Sequence, residues 1–214
     1  MDSMEQSTLT SRLGTGAARL VSLLFHPLTM AVWMTLLVMY GFASPMKFPD
    51  VLRRFVISNV VVITIFIPLI FNLLLRLFGV VKRDATGGRK VAIMRLVIAA
   101  LCYVCCGFMF AEVPLLFLLR KMLFLGSIVL LVALVTEFCY PISHHTLAFG
   151  TLLGYMWVLL FVGNMGLLYP FVVALVLGGL LVTSRLHLSE LAPVRIYVAL
   201  LGGVLIAVMC AIFV

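Results

Sequence analysis

The side chains best suited to chemistry are four histidines and the basic residues near them. Ser143-His144-His145 form one group, and Ser184-Arg185 with His187 form a second. Lys82 and Arg89 lie in the most polar stretch of the chain body, Gly79 to Lys90. These residue types suit a phosphate. Lysine and arginine supply charge-assisted donors, and arginine grips two oxygens at once. A serine hydroxyl and backbone N–H groups at a helix start add neutral donors. Histidine exchanges protons near neutral pH and also attacks phosphorus as a nucleophile.

Each group also has a structural reading. Lys82, Arg83, Arg89 and Lys90 make an interfacial loop facing lipid head groups. His144 and His145 sit at the start of a helix that Ser143 would cap. Arg185 is placed to snorkel from a helix end. His26 before Pro27 reads as a helix-start residue. Glu137 stands out because carboxylates within a membrane are costly. Trp33 and Trp157 read as packing or interface residues. The five cysteines read as small apolar packing residues, since no cysteine pair meets a second pair or a histidine pair at zinc spacing. No metal site or cofactor is expected.

The elements that carry these groups are apolar helices. Of the 214 residues 65% are hydrophobic and 10% charged. A soluble domain carries about 45–50% apolar and about 25% charged residues. Thr146 to Ser184 is 39 residues without Asp, Glu, Lys or Arg. As one helix it would extend roughly 58 Å, against a hydrocarbon core of about 30 Å, so it must fold back. The expected fold is therefore all-α, a polytopic transmembrane bundle of six to seven spans. A polar segment, 1–19, precedes a single membrane domain, 20–214.

The uncharged runs place the spans at 20–43, 55–78, 91–111, 122–138, 146–162, 167–183 and 194–214. The first run is too long for a signal-peptide core and reads as a retained helix. Pro68 falls inside the second span, which neighbouring groups must accommodate. Gly150 and Gly154 share one helix face and permit a close helix contact. With seven spans, the N-terminus and the three loops bearing the candidate residues lie on one side.

At the level of motifs the chain resembles the type 2 phosphatidic acid phosphatase superfamily, whose signature is K-x6-R-P, then P-S-G-H, then S-R-x5-H-x3-D. Lys82 and Arg89 match the first piece, with Lys90 in place of its proline. Pro141-Ile142-Ser143-His144-His145 is similar to the second, and Ser184-Arg185 to the start of the third. Phe25-His26-Pro27, the glycines after the S-x-H, and the stretch ending at Tyr197 are similar to a short membrane branch from Bacteroidetes-type bacteria. The resemblance implies phosphate ligands at Lys82, Arg89, Ser143 and Arg185. It implies an acid at His145, with His144 the alternative. It departs at the nucleophile: the family histidine falls on Leu191 and its orienting aspartate on Arg195. His187, four residues before Leu191, is the candidate for a displaced nucleophile, with Glu190 or another acid to orient it.

Three expectations follow. One is a metal-independent lipid phosphatase acting on a phospholipid, a polyprenyl (di)phosphate or lipid A. The second is a non-catalytic relative that binds a lipid or serves as an assembly subunit. The third is a small permease, for which Asn59, Pro68 and Asn72 are the only hint. Both phosphate readings require Lys82, Arg89, His145, Arg185 and His187 to converge within one pocket. The implied partners are membrane lipids with anionic or phosphorylated head groups, and not nucleic acid. The implied location is a bacterial inner membrane. Ten of the 15 basic residues fall on the side of the N-terminus, which the positive-inside rule puts in the cytoplasm. Most bacterial members of the family work on the outer face, the opposite assignment.

Overall fold

A computed structural model describes residue 16 and residues 18–40, 48–78, 89–140, 142–188 and 192–213. The described residues fold into helices and short turns, and no strand occurs among them. The helices are α1 (Ala18–Leu24), α2 (Pro27–Met39), α3 (Asp50–Val61), α4 (Ile67–Leu77), α5 (Arg89–Met109), α6 (Phe117–Cys139), α7 (His144–Phe161), α8 (Leu168–Leu188) and α9 (Pro193–Phe213). Among the described residues six stretches are long and apolar enough to cross a membrane, and the α1–α2 pair makes a seventh when counted as one broken span. The exposed surface supports an integral membrane protein. Leu69, Ile70, Leu73, Leu77, Val176 and Leu201 point outward, an arrangement lipid tolerates and water does not.

The first span is broken rather than continuous. α1 and α2 meet at 61°. Pro27 has no N–H to donate and disfavours the helical conformation at the residue before it, and His26 is extended (φ −67°, ψ 146°). Phe25 turns inward at the break and packs edge-on against Phe149 of α7, 5.2 Å between ring centres. α2 has 13 residues, roughly 20 Å, which is short of a membrane crossing on its own.

Tyr103 of α5 fixes where α2 starts. Its hydroxyl donates to the Pro27 carbonyl at 2.6 Å and accepts the Ala31 N–H at 3.1 Å. It thus bonds to both groups that close the first turn of α2. The Tyr103 ring lies where a side chain at Gly126 of α6 would project, 2.5 Å from that would-be Cβ. The α5–α6 hairpin therefore grips α2.

The second span begins earlier than the charge pattern suggests. Asp50, Arg53 and Arg54 lie in α3, not in a loop. Pro49 precedes the helix, Asp50 opens it, and Arg53 pairs with Asp50 while lying over the Tyr40 ring. Pro68 is accommodated by a π turn at Val62–Phe66, whose wider loop precedes the proline. Asn59 and Asn72 donate to Phe55 and Pro68, each within its own helical segment. Their amide N–H groups are thus engaged locally.

α7 is the most enclosed span, with 61% of its apolar window buried against 22% for α9. It packs against α9, α8, α2 and α6. The glycine pair works as expected. A Cβ at Gly150 would stand 2.1 Å from the Leu200 carbonyl oxygen, and one at Gly154 would stand 2.7 Å from that of Val204. Gly203 answers from α9, where an added Cβ would stand 2.1 Å from the Leu147 carbonyl oxygen. The two backbones touch because neither helix carries a side chain there.

Candidate functional site

The start of α7, the end of α8 and the α1–α2 break meet at one end of the bundle. They border a shallow, open cleft of about 390 Å³ lined by Arg19, Ser22, Leu23, His26, His145, Arg185 and Leu188. Ser184, Arg185 and His187 belong to the last turns of α8 rather than to a loop. The helix therefore aims Arg185 inward. Its Nη1 donates to the Ser22 hydroxyl at 3.3 Å, while its Nε is buried and finds no partner among the described residues.

His26 and His145 meet edge to face, 5.1 Å between ring centres. The His26 Nδ1 accepts the Leu28 N–H at 3.2 Å, so it caps α2 as its sequence position suggests. It lines the cleft as well. Arg95, from α5, lies within electrostatic reach of His26, and its Nε is also buried and unpartnered among the described residues. No carboxylate lines the cleft among the described residues. The arrangement is a set of donors with an excess of positive charge, suited to an anion.

The remaining candidates lie elsewhere. His144 turns away from the cleft. Its Nε2 meets the Glu137 carboxylate of α6 at 3.2 Å, and its Nδ1 is buried without a partner among the described residues. It lines instead an internal cavity of about 20 Å³ beside Tyr103, Gly126 and Thr151, room for a water and not for a phosphate. Ser143 takes the N-cap position of α7, but its side chain makes no cap hydrogen bond. Its Oγ is buried and unpartnered among the described residues, and it does not line the cleft. His187 is exposed and also lies outside the cleft lining. Lys82, Glu190, Leu191 and the Arg89 side chain lie outside the described residues. The convergence that both phosphate readings require therefore fails at His187, and Lys82 and the Arg89 side chain lie outside the described residues, so a phosphate reading has to rest on a different set, the residues that line the cleft. His145 and Arg185 come together, and His187 does not join them.

The partners they do meet carry a signal in the sequence. Arg19 and Ser22, three residues apart on α1, share one helix face, and His26 follows at the break. Among the described residues no group of three or more His, Cys, Asp or Glu side chains is placed to hold a metal ion.

Compared with known proteins, the chain matches no family model, no curated protein and no solved structure.

Proposed function

We propose that this protein binds the phosphorylated head group of a membrane lipid in the cleft between α1, α7 and α8, without hydrolysing it. The observation that carries the reading is the lining. Two arginines, a serine and two histidines face one space, with no described carboxylate among them. Donors at a membrane boundary recognise anionic oxygens. The resemblance to the phosphatase superfamily supports the same ligand chemistry through Arg185 and His145. On this reading the protein is a non-catalytic relative in a bacterial inner membrane.

The phosphatase reading is second, favoured by His145 standing beside Arg185 in the cleft. Among the described residues no carboxylate orients a histidine that lines the cleft. The histidine–carboxylate pair among the described residues, His144–Glu137, faces a cavity too small for the reaction.

One experiment separates them. Purified protein in nanodiscs is presented with phosphatidate, a polyprenyl diphosphate and lipid A, and both bound lipid and released phosphate are measured. The expected result is saturable binding with no phosphate release, with or without chelator. Catalytic release that disappears in His145→Ala establishes the phosphatase instead.

A further inference from the structure

α1 (Ala18–Leu24) is about two turns long. A helix that short does not hold its direction alone, so what grips it decides where it points. Ala18, Ser22 and Phe25 turn inward and are buried, while Leu20, Leu23 and Leu24 point outward. In a continuous helix the Leu24 carbonyl would accept the Leu28 N–H. Here that N–H goes to His26 Nδ1, and side chains of α2 take up the carbonyl instead. Thr29 Oγ1 donates to it at 2.7 Å and Trp33 Nε1 at 3.2 Å. The Thr29 hydroxyl has one hydrogen and is equally close to the His26 carbonyl, at 2.7 Å, so its donation is divided. The indole has a single N–H and directs it at Leu24. Its ring also stacks on Phe25, 6.2 Å between centres. A bare carbonyl is costly where lipid is the solvent, which favours the clamped arrangement.

We propose that Trp33 is a positioning residue of the cleft: its indole N–H holds α1 at the 61° bend that brings Arg19 and Ser22 to Arg185. Trp33 is not part of the cleft lining, whereas Arg19 and Ser22 are. The Arg185–Ser22 contact, at 3.3 Å, is long for a hydrogen bond, so a small rotation of α1 breaks it. The inference rests on the reading of the cleft as a phosphate site, and Trp33 acts on that site through α1. Such coupling is reciprocal. If the clamp favours binding, binding must favour the clamp by the same factor.

The chain has two tryptophans, which supply a probe and a reference. Trp157 packs beside Phe161 and Phe171 and lies outside the cleft lining. The test follows both indole N–H signals of nitrogen-labelled full chain in phosphatidylcholine nanodiscs during titration with phosphatidate. The Trp33 signal is expected to move and to saturate with binding, while that of Trp157 stays still. Arg185→Gln should remove the movement. Trp33→Phe keeps a ring against Phe25 and deletes the N–H. It should weaken phosphatidate binding by about threefold to tenfold, the range of one neutral hydrogen bond. Trp157→Phe should leave the affinity unchanged. Either variant assigns both signals, so the spectra do not depend on both folding. A still Trp33 signal while phosphatidate binds overturns the inference, as does a Trp33→Phe protein with wild-type affinity. So does a movement that survives Arg185→Gln, which would report lipid touching the ring. An equal loss of affinity in Trp157→Phe would mean general destabilisation and also contradicts it. In each of these cases the cleft stands as a phosphate site if Arg185→Gln lowers binding. If the wild-type protein binds no phosphatidate, the reading of the cleft fails and the inference falls with it.

Discussion

Arg185 owes its place in the cleft to the last turns of α8, and the same helix explains why His187 is absent from it. Two positions along a helix turn the side chain by about 200°. Arg185 faces Ser22, and His187 emerges on the exposed side. The motif spacing made Arg185 and His145 legible in the sequence. It did not show that Ser184 to Leu188 is helical, so the loop reading left His187 free to join. Replacing Arg185 by Gln should lower affinity for a lipid phosphate about tenfold to a hundredfold, the range expected for a charge-assisted hydrogen bond of ~1.5–3 kcal/mol. Titration in nanodiscs reads this directly. Arg185→Lys should recover only part of the loss, since an ammonium lacks the planar fork. Tyr103 is the other side chain whose role its residue type did not reveal. Tyr103→Phe leaves the Pro27 carbonyl and the Ala31 N–H without the hydroxyl that bridges them. It should destabilise the bundle by about 1–3 kcal/mol, measured by reversible unfolding in mixed micelles, and should weaken ligand binding through the displaced His26.

The helices themselves were largely legible, because charge scarcity marks apolar spans and little else can cross a lipid core. Their boundaries were less so. Charge alone placed Arg53, Arg54, Arg120 and Lys121 outside spans, yet all four lie in helices. Long basic side chains reach the interface from within a helix end. The break at His26-Pro27 was visible as a dipeptide but not as a 61° bend that brings α1 over the end of α8. The α7–α9 contact followed from glycine spacing on α7, whereas its counterpart Gly203 had to be found in the fold. Gly150→Val should prevent this contact, because its Cβ would meet the Leu200 backbone at 2.1 Å. Gly179→Val provides the control, since nothing lies within 4 Å of a Cβ there. The first variant should lose monodisperse protein and thermal stability in detergent, and the second should keep both.

Across the whole molecule, the cleft gathers the ends of elements far apart in sequence. Ser22 and Arg185 are 163 residues apart. That distance is why the site was only half readable: local motifs name residue types, and packing decides which of them meet. The same alternation of spans gives a topological prediction. If α1–α2 is a broken crossing, the N-terminus shares the cleft side and the C-terminus lies opposite. Cysteines introduced at Gly16 and Val113, before α1 and in the α5–α6 connection, should label from opposite faces of sealed vesicles with a membrane-impermeant reagent. Labelling from the same face would contradict the seven-crossing order.

The central claim is that Arg185 and its neighbours hold a lipid phosphate without cleaving it. Its most direct test is phosphatidate binding and phosphate release, measured on the same nanodisc sample for wild-type and Arg185→Gln protein. Saturable wild-type binding is expected, weakened about tenfold or more by the substitution, with no released phosphate in either sample. Equal binding by the two proteins, or turnover by the wild type, would contradict it.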